Sequence, residues 1–297
     1  MNWKNVGFDW NQVRGFLATV EEGSLSAAAR ALGTTQPTLS RQVSGLEETL
    51  GVLLFERGPR SMVLTSAGID LVDHVRAMGE AASRVSLSAS GHSQAIDGTV
   101  SISATETTAA FSIPQYLCAF RERAPNIRIE IISSNAIDNL LQRDADIAIR
   151  HSPPAQGDLI GKHIGDSVAH LYGSQDYLNR CGYPKTIKEI STHTLIGQTP
   201  LQANLAGLRG LGLELEENDF NILATSSITL LELVRQGLGL SFIQHHTAGL
   251  FPDLVPVLAD EVSPPIPIWL VTHRELHNSR RIRMVFDWLV ESIGSEL

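Results

Sequence analysis

Between Thr35 and Ser44 the chain carries Thr35, Gln36, Pro37, Thr38, Ser40, Arg41 and Ser44, interleaved with the start of an aliphatic series Leu39, Val43, Leu46 and Leu50. The aliphatic residues repeat at +4, +3 and +4, a helical spacing that sends them to one core-facing side. Winding at about 100° per residue puts Pro37, Arg41 and Ser44 opposite that side, with Thr38 and Ser40 on the flanks. Hydroxyls can hold phosphates and base edges, and a guanidinium matches the paired acceptors of guanine, so this face has the chemistry a DNA major groove requires. Downstream, Leu54 to Arg57 and Met62 to Leu64 read as short strands joined by Gly58-Pro59-Arg60-Ser61. That hairpin places Arg57 and Arg60 near its tip, where a basic wing suits contact with DNA backbone or minor groove. The competing reading is a solvated helical hairpin with scattered arginines.

Overall charge opposes this reading at first. There are 23 Lys and Arg against 32 Asp and Glu, a net −9, which disfavours a partner as anionic as DNA or a phospholipid surface. The distribution removes the objection: residues 1–65 hold six basic (Lys4, Arg14, Arg30, Arg41, Arg57, Arg60) and six acidic residues (Asp9, Glu21, Glu22, Glu47, Glu48, Glu56), so the whole −9 lies in residues 66–297. A neutral head can bind DNA when its arginines share a face, and a symmetric dimer reading two half-sites supplies the affinity it lacks.

The sequence offers little catalytic chemistry. There is no G-x-S-x-G, no phosphate-binding G-x-x-x-x-G-K-[ST] and no strand-following G-x-G-x-x-G; Gly237-Leu238-Gly239 falls where a helix stops and a strand begins. His273 and His277 stand four apart, but they follow a strand and lack the glutamate next to the first histidine that a zinc-dependent protease helix carries. No catalytic residue, metal or cofactor is expected, and His245-His246 reads as a solvated helix start. Cys118 and Cys181 fit packing roles in a reducing, cytoplasmic setting better than a redox pair. The amino terminus has no secretory apolar core, and no stretch approaches the roughly 20 apolar residues of a membrane span, so no membrane partner is expected.

These groups need elements to hold them. Val13, Phe16, Leu17 and Val20 form one stripe of a first helix; Ser26 is a candidate cap for a second, Ala27 to Leu32, and Gly33-Thr34 supplies the turn into a third capped by Thr35. From Thr65, a candidate cap, to a stop at Gly91, proline is absent and Leu71, Val75, Met78, Ala82, Val85 and Ala89 follow the 4,3,4,3,4 spacing of a coiled-coil seam. Pairing with a second copy is favoured over an ordinary helix lying on one domain. Beyond about residue 97 come a strand over Gly98 to Thr105, a helix faced by Ile113, Tyr116, Leu117 and Phe120 and closed by Ala124-Pro125, and a strand over Ile127 to Ile132. A short helix around Ile137, Leu140 and Leu141 and a strand over Asp146 to Ile149 complete a β-α-β-α-β order that implies a mostly parallel sheet. A second run starts near Val168 to Tyr172 and includes strands at His193 to Ile196, Phe220 to Ala224 and Leu240 to Ile243, with a helix over Ile228 to Gln236. The length, 297 residues, accommodates a small head and two α/β lobes.

Gly23-Ser24-Leu25-Ser26, Ala28-Ala29, Gln36 to Gln42, Leu46-Glu47, Leu50-Gly51, Leu54-Phe55-Glu56-Arg57 and Leu64-Thr65-Ser66-Ala67-Gly68 together resemble the signature of LysR-type transcriptional regulators. The match is dense from about Phe8 to Leu71; the first eight or so residues extend past the usual start and receive no role. The resemblance implies a winged helix-turn-helix over 1–65, a linker and dimerisation helix over 66–96, and an effector-binding domain over 97–297 like a periplasmic binding protein. Its first lobe would comprise about 97–165 and 268–297, its second about 166–267. Ser26 joins the DNA-contacting set on this reading. Family members of this kind are cytoplasmic homodimers, commonly dimers of dimers, on pseudo-palindromic promoter DNA, with RNA polymerase a candidate further partner. Effector closure of the cleft would change the spacing of the heads and the bend in the promoter.

In such a domain the ligand lies between the lobes, met by loops at strand ends and by helix starts. Thr105-Glu106-Thr107 match the family position where hydroxyls commonly hold an effector carboxylate, with Thr105 and Thr107 the first choices. Glu106 departs from the usual small residue or proline: it could repel an acid, attract an amine or face solvent. Ser226 and Ser227, at a positive helix start, match a second contact region. Ser134, Arg150 with His151, and Gln198 with Thr199 complete the candidate rim, each equally suited to a cap or loop hydrogen bond. The effector is an unidentified small molecule, a carboxylate or amino acid among the candidates. A solute-binding protein, disfavoured by the lack of an export signal, and an enzyme working in the cleft are the alternatives.

Overall fold

Helix α1 (Trp10–Glu21) begins at Asp9, whose carboxylate accepts the Asn11 N–H at 2.7 Å while Gln12 Oε1 accepts the Asp9 N–H at 3.0 Å, a reciprocal cap. Helix α2 (Leu25–Ala31) is capped by Ser24, whose Oγ accepts the Ala27 N–H at 3.2 Å; the expected cap, Ser26, lies inside the helix instead. Starting at Ser24 brings Leu25 into the first turn, where it packs on the head's core. Gly33, at φ +62°, makes the turn that a side chain would strain. Thr35 then caps α3 (Gln36–Leu50), with Pro37 in its first turn, where its missing N–H costs nothing. Strands β1 (Phe55–Arg57) and β2 (Met62–Leu64) pair antiparallel, Phe55 opposite Leu64. Thr65 Oγ1 accepts the Gly68 N–H at 3.0 Å and opens α4 (Ser66–Gly91).

The computed structural model describes residues 7–57, 62–91, 95–135, 145–210 and 213–297. Arg60 and its turn, the expected helix around Ile137, Leu140 and Leu141, and most of the unassigned amino-terminal extension lie outside them. The chain divides into two units, Met1–Ala89 and Ser90–Leu297.

In the first unit Val13, Phe16, Val43, Leu46, Leu54, Phe55 and Val75 form one buried cluster, with the Phe16 and Phe55 rings 5.4 Å apart. Leu39 joins Ala28 and Ala29 in an adjoining one. Each large side chain so buried contributes about 1.5–3 kcal/mol over leaving it exposed. The α4 seam is divided: Leu71, Val75 and Met78 pack on the head's own core, whereas Val85 is 71% exposed. The single-domain reading therefore holds for the first half of the seam.

In the second unit β3 (Gly98–Ala104) leads through a wide π turn at Thr108–Ser112 into α5 (Ile113–Arg123), then β4 (Ile127–Ser133) and β5 (Ile147–Arg150). Strand β6 (Leu159–Ser174), α6 (Gln175–Cys181), β7 (Leu195–Gln198), α7 (Leu201–Gly210), β8 (Phe220–Ala224) and α8 (Ser227–Arg235) follow. The chain closes with β9 (Ser241–Gln244), α9 (His245–Gly249), β10 (Leu254–Val257), β11 (Pro265–His273) and α10 (Arg280–Gly294). β4-β3-β5 in the first lobe and β7-β8 in the second pair parallel; β6 pairs antiparallel with β9, β10 and β11, and β11 with β5. The β-α-β-α-β run over 98–150 is parallel as expected; β11, which carries the chain back from the second lobe to the first, adds antiparallel pairing to the same sheet. β6 also starts at Leu159, well before the expected Val168. Its first part pairs with β11 and its last residues with β9 and β10, so it belongs to both lobes.

Two packing expectations fail. Cys118 and Cys181 are both free and exposed: Cys118 falls between the buried positions Tyr116 and Phe120 of α5, and Cys181 ends α6. His246 is half buried rather than solvated, its Nε2 lacking a hydrogen bond among the described residues and lying 3.7 Å from Glu296 Oε2.

Candidate nucleic-acid interface and ligand cleft

Burial of Leu39, Val43 and Leu46 fixes how α3 is rotated. Gln36, Pro37 and Arg41 consequently stand exposed, and Thr38, Ser40 and Ser44 are half buried beside them. Thr35 is exposed, and its Oγ1 meets Thr38 Oγ1 at 2.9 Å, so these hydroxyls order the helix start as well as facing outward. Ser26 Oγ donates to Gln36 Oε1 at 3.1 Å, setting the glutamine at the head of the face. Arg57 ends β1.

Behind this face sits a carboxylate that sequence reasoning counted only as charge. Glu47, 9% exposed, accepts the N–H of Leu54 at 2.8 Å and of Phe55 at 3.3 Å through Oε1, tying the end of α3 to the wing. Its place at the edge of the buried stripe, one residue after Leu46, was the available signal.

In the second unit a cavity of about 700 Å³ opens between the lobes. Thr105, Thr107, Asn135 and His151 line it from the first lobe, Gln198, Ser227 and Gln244 from the second. Glu106, Ser134, Arg150, Thr199 and Ser226 are not among its walls. Arg150 is buried and donates to Ser103 Oγ at 2.8 Å and to the Ile149 carbonyl at 3.1 Å; Thr199 donates its N–H to the Ala224 carbonyl at 2.9 Å, and Ser134 donates its own to Ala104 at 2.9 Å. The cavity runs on into the second lobe's core, where Leu195, Leu201, Leu208, Leu215, Phe220 and Leu240 wall it. Among the described lining residues none is lysine or arginine.

Glu106 bridges the lobes beside the cavity, to which its partner Ser227 belongs. Its Oε2 accepts Ser226 Oγ at 2.8 Å, the Ser227 N–H at 2.7 Å and Ser227 Oγ at 3.1 Å, while its own N–H donates to Asn135 Oδ1 at 3.3 Å. Burial works to raise this carboxyl, but the hydrogen bonds from Ser226 and Ser227 outweigh it and hold the group below the ordinary glutamate value. Glu106 thus turns to the start of α8. His151 Nδ1 lies 3.2 Å from the Pro267 carbonyl. A carbonyl only accepts, so Nδ1 carries the proton and the neutral ring offers Nε2 as an acceptor. Burial keeps the ring neutral by holding it below its ordinary value, with Arg150 adding to the effect and the Pro267 bond opposing it.

Residues 10–69 match the model for bacterial regulatory helix-turn-helix proteins of the lysR family, and residues 93–294 match that for the LysR substrate binding domain. The chain belongs to the LysR family of transcriptional regulators. This LysR-type regulator is 29% identical over 292 residues to the HTH-type transcriptional regulator CrgA of Neisseria meningitidis serogroup B, covering 95% of this chain and 96% of that one. A solved structure of CrgA aligns with a TM-score of 0.59 at 26% identity, covering 95% and 98% of the two chains. Full-length AphB of Vibrio cholerae (TM-score 0.64, 24% identity, 98% and 100% covered) shares the fold, as does CbnR solved with its target DNA (0.61, 20%, 98% and 100%). The LysR-type regulator is therefore a DNA-binding transcriptional regulator with an amino-terminal helix-turn-helix and a mixed α/β effector-binding domain. Family members are regulators rather than enzymes, and effector modulation is typical of them. Among the described residues no helix is long and apolar enough to cross a membrane.

Asn135 and Gln244 were not foreseen in the cleft. Both stand at or just past a strand end, the same placement that had singled out Ser134 and Gln198, and extending that rule by one residue would have found Asn135.

Proposed function

We propose that α3 lies in the major groove with Gln36, Pro37 and Arg41 toward the bases and Thr35, Thr38, Ser40 and Ser44 toward the phosphates at its edges. The β1–β2 wing, with Arg57 and Arg60, runs along the adjacent backbone or minor groove, and Ser26 steadies Gln36 from α2. The observation that carries this reading is the rotation of α3: burial of Leu39, Val43 and Leu46 commits one side to the core and leaves Arg41 exposed on the other. The protein works in the cytoplasm as a homodimer on two half-sites, joined through the exposed distal part of α4 around Val85, with a dimer of dimers and contact with RNA polymerase as further levels of assembly. A small molecule in the cleft, met by Thr105, Thr107, His151 and Gln198, modulates promoter binding or bending. Replacing Arg41 by alanine should cost about 1–3 kcal/mol of specific binding and relax the preference at one base position. Unchanged affinity and sequence preference in a gel-shift series would remove Arg41 from base readout.

A further inference from the structure

The donors that a carboxylate effector would need at the start of α8 are already engaged. The Ser226 hydroxyl, the Ser227 hydroxyl and the Ser227 N–H all point at one oxygen of Glu106, between 2.7 and 3.1 Å away. The Ser226 hydroxyl is committed on its acceptor side too, taking the Thr229 N–H at 3.4 Å. A second carboxylate entering here would have to displace this one or sit against it, and like charges at such distances repel strongly in a partly desolvated site. No cation in the described walls compensates: the lining residues include no lysine or arginine, and the remaining donors, such as the Thr105 and Thr107 hydroxyls, are neutral.

The rest of the cavity has a different character. About 700 Å³ of space penetrates a core whose aliphatic walls, Leu195, Leu208 and Leu240 among them, are themselves almost wholly buried. Protein interiors normally close such voids, since an empty apolar cavity forfeits contacts along its whole surface. The volume is in the range of small-molecule sites, and the polar groups Thr105, Thr107, Gln198 and Gln244 lie among apolar walls.

We propose that Glu106 fills the cleft's anion position with the chain's own carboxylate, so that the cavity takes an uncharged, largely apolar molecule with a hydrogen-bonding head group and excludes carboxylates. This inference rests on the effector reading proposed above and names the ligand class for the same site. Glu106 thereby sets specificity. It also joins the lobes without a ligand, since it follows β3 in the first lobe and its partners begin α8 in the second.

The test uses the full chain and matched pairs of probes of rising size, from benzoate and benzamide to 4-butylbenzoate and 4-butylbenzamide and 2-naphthoate and 2-naphthamide, with affinity measured by calorimetry at pH 7.5. The wild type should bind the tightest carboxamide at least tenfold more strongly than its carboxylate twin. Glu106→Ala, which releases the α8 donors, should raise carboxylate affinity at least tenfold and change carboxamide affinity less than threefold. Wild-type binding of carboxylates as tight as of carboxamides overturns the inference while leaving the effector site standing, and a folded Glu106→Ala with no gain for carboxylates also overturns it. Binding of neither series by the wild type overturns the effector reading itself. Should Glu106→Ala fail to fold, the wild-type comparison alone decides.

Discussion

Glu47→Ala removes the acceptor that holds the wing against α3. In the wild type Oε1 takes two backbone N–H groups, at 2.8 Å from Leu54 and 3.3 Å from Phe55, in a side chain only 9% exposed. A net hydrogen bond to a charged acceptor is worth about 1.5–3 kcal/mol, and a donor left buried without one loses a similar amount. The Phe55 bond is longer than the usual range and counts as a weak one. Desolvation of the carboxylate offsets part of the gain, so the sum is about 3 kcal/mol. For a unit of this size that corresponds to roughly 12–24 °C in melting temperature. Differential scanning calorimetry of the full chain should show the transition of the first unit falling by this amount while that of the second stays in place. Hydrogen exchange at Leu54 and Phe55 should accelerate in parallel. Glu47→Gln keeps an acceptor but a neutral one, and should lose about half as much. A first transition that stays within about 3 °C of wild type in Glu47→Ala, or a glutamine variant as damaged as the alanine one, would refute the assignment of the wing's position to this carboxylate.

Gly68→Ala would place a Cβ 2.3 Å from the Leu54 carbonyl oxygen and 2.9 Å from Leu64 Cδ2; the head should lose at least about 1–3 kcal/mol, read as a lower melting transition, and an unchanged transition would show that α4 yields freely. Val85→Glu, at a position 71% exposed, should leave the fold intact but shift sedimentation from dimer toward monomer, and an unaltered mass would exclude the distal seam from pairing. Because the folded Glu106 value lies below its ordinary one, its bridge stabilises the second unit fully above the unfolded glutamate value of about 4.3 and loses that contribution as pH falls through the folded value. The melting difference between wild type and Glu106→Ala should therefore be constant from about pH 8 to 5 and shrink below that; growth on acidification would contradict the sign.

The head was legible because its signals are local. Caps lie within three residues of the amides they serve, and the stripes of α1 and α3 repeat within two turns. The miss at Ser26 shows the limit of such rules: with serines at both 24 and 26, hydroxyl chemistry cannot choose, and the start at Ser24 is the one that packs Leu25, partly buried, on the head's core. The effector domain was legible in its element order and in the parallel pairing of β3, β4 and β5, but not in the antiparallel pairing of β6 and β11. Leu159 to Ser167 contains Gly161, Lys162, Gly165 and Asp166 among its apolar residues and shows no clean alternation, because the strand exchanges partners along its length. The cleft resisted most. Glu106 and Ser226 are 120 positions apart, and no local pattern marks one as the occupant of the other's site. Thr105, Thr107, His151, Gln198 and Ser227 all reach the cavity, while Arg150 turns instead to Ser103, since a guanidinium on a fully buried strand must find acceptors within the lobe.

The strand pair β6–β11 bears on how any signal in the cleft is transmitted. At about 3.3 Å per residue, a 16-residue strand is a ribbon some 50 Å long, hydrogen-bonded to β11 from Leu159 to Val168 before it enters the second lobe. Its ladder slips register between Ile268 and Trp269, opposite Gly165, and the side chain of Leu297 presses against that glycine. A ribbon shared in this way couples the two lobes, and its register slip is where the ladder is interrupted. If a ligand in the cleft shifts one lobe, the ribbon carries that shift to the other as a single stiff element rather than through separate contacts.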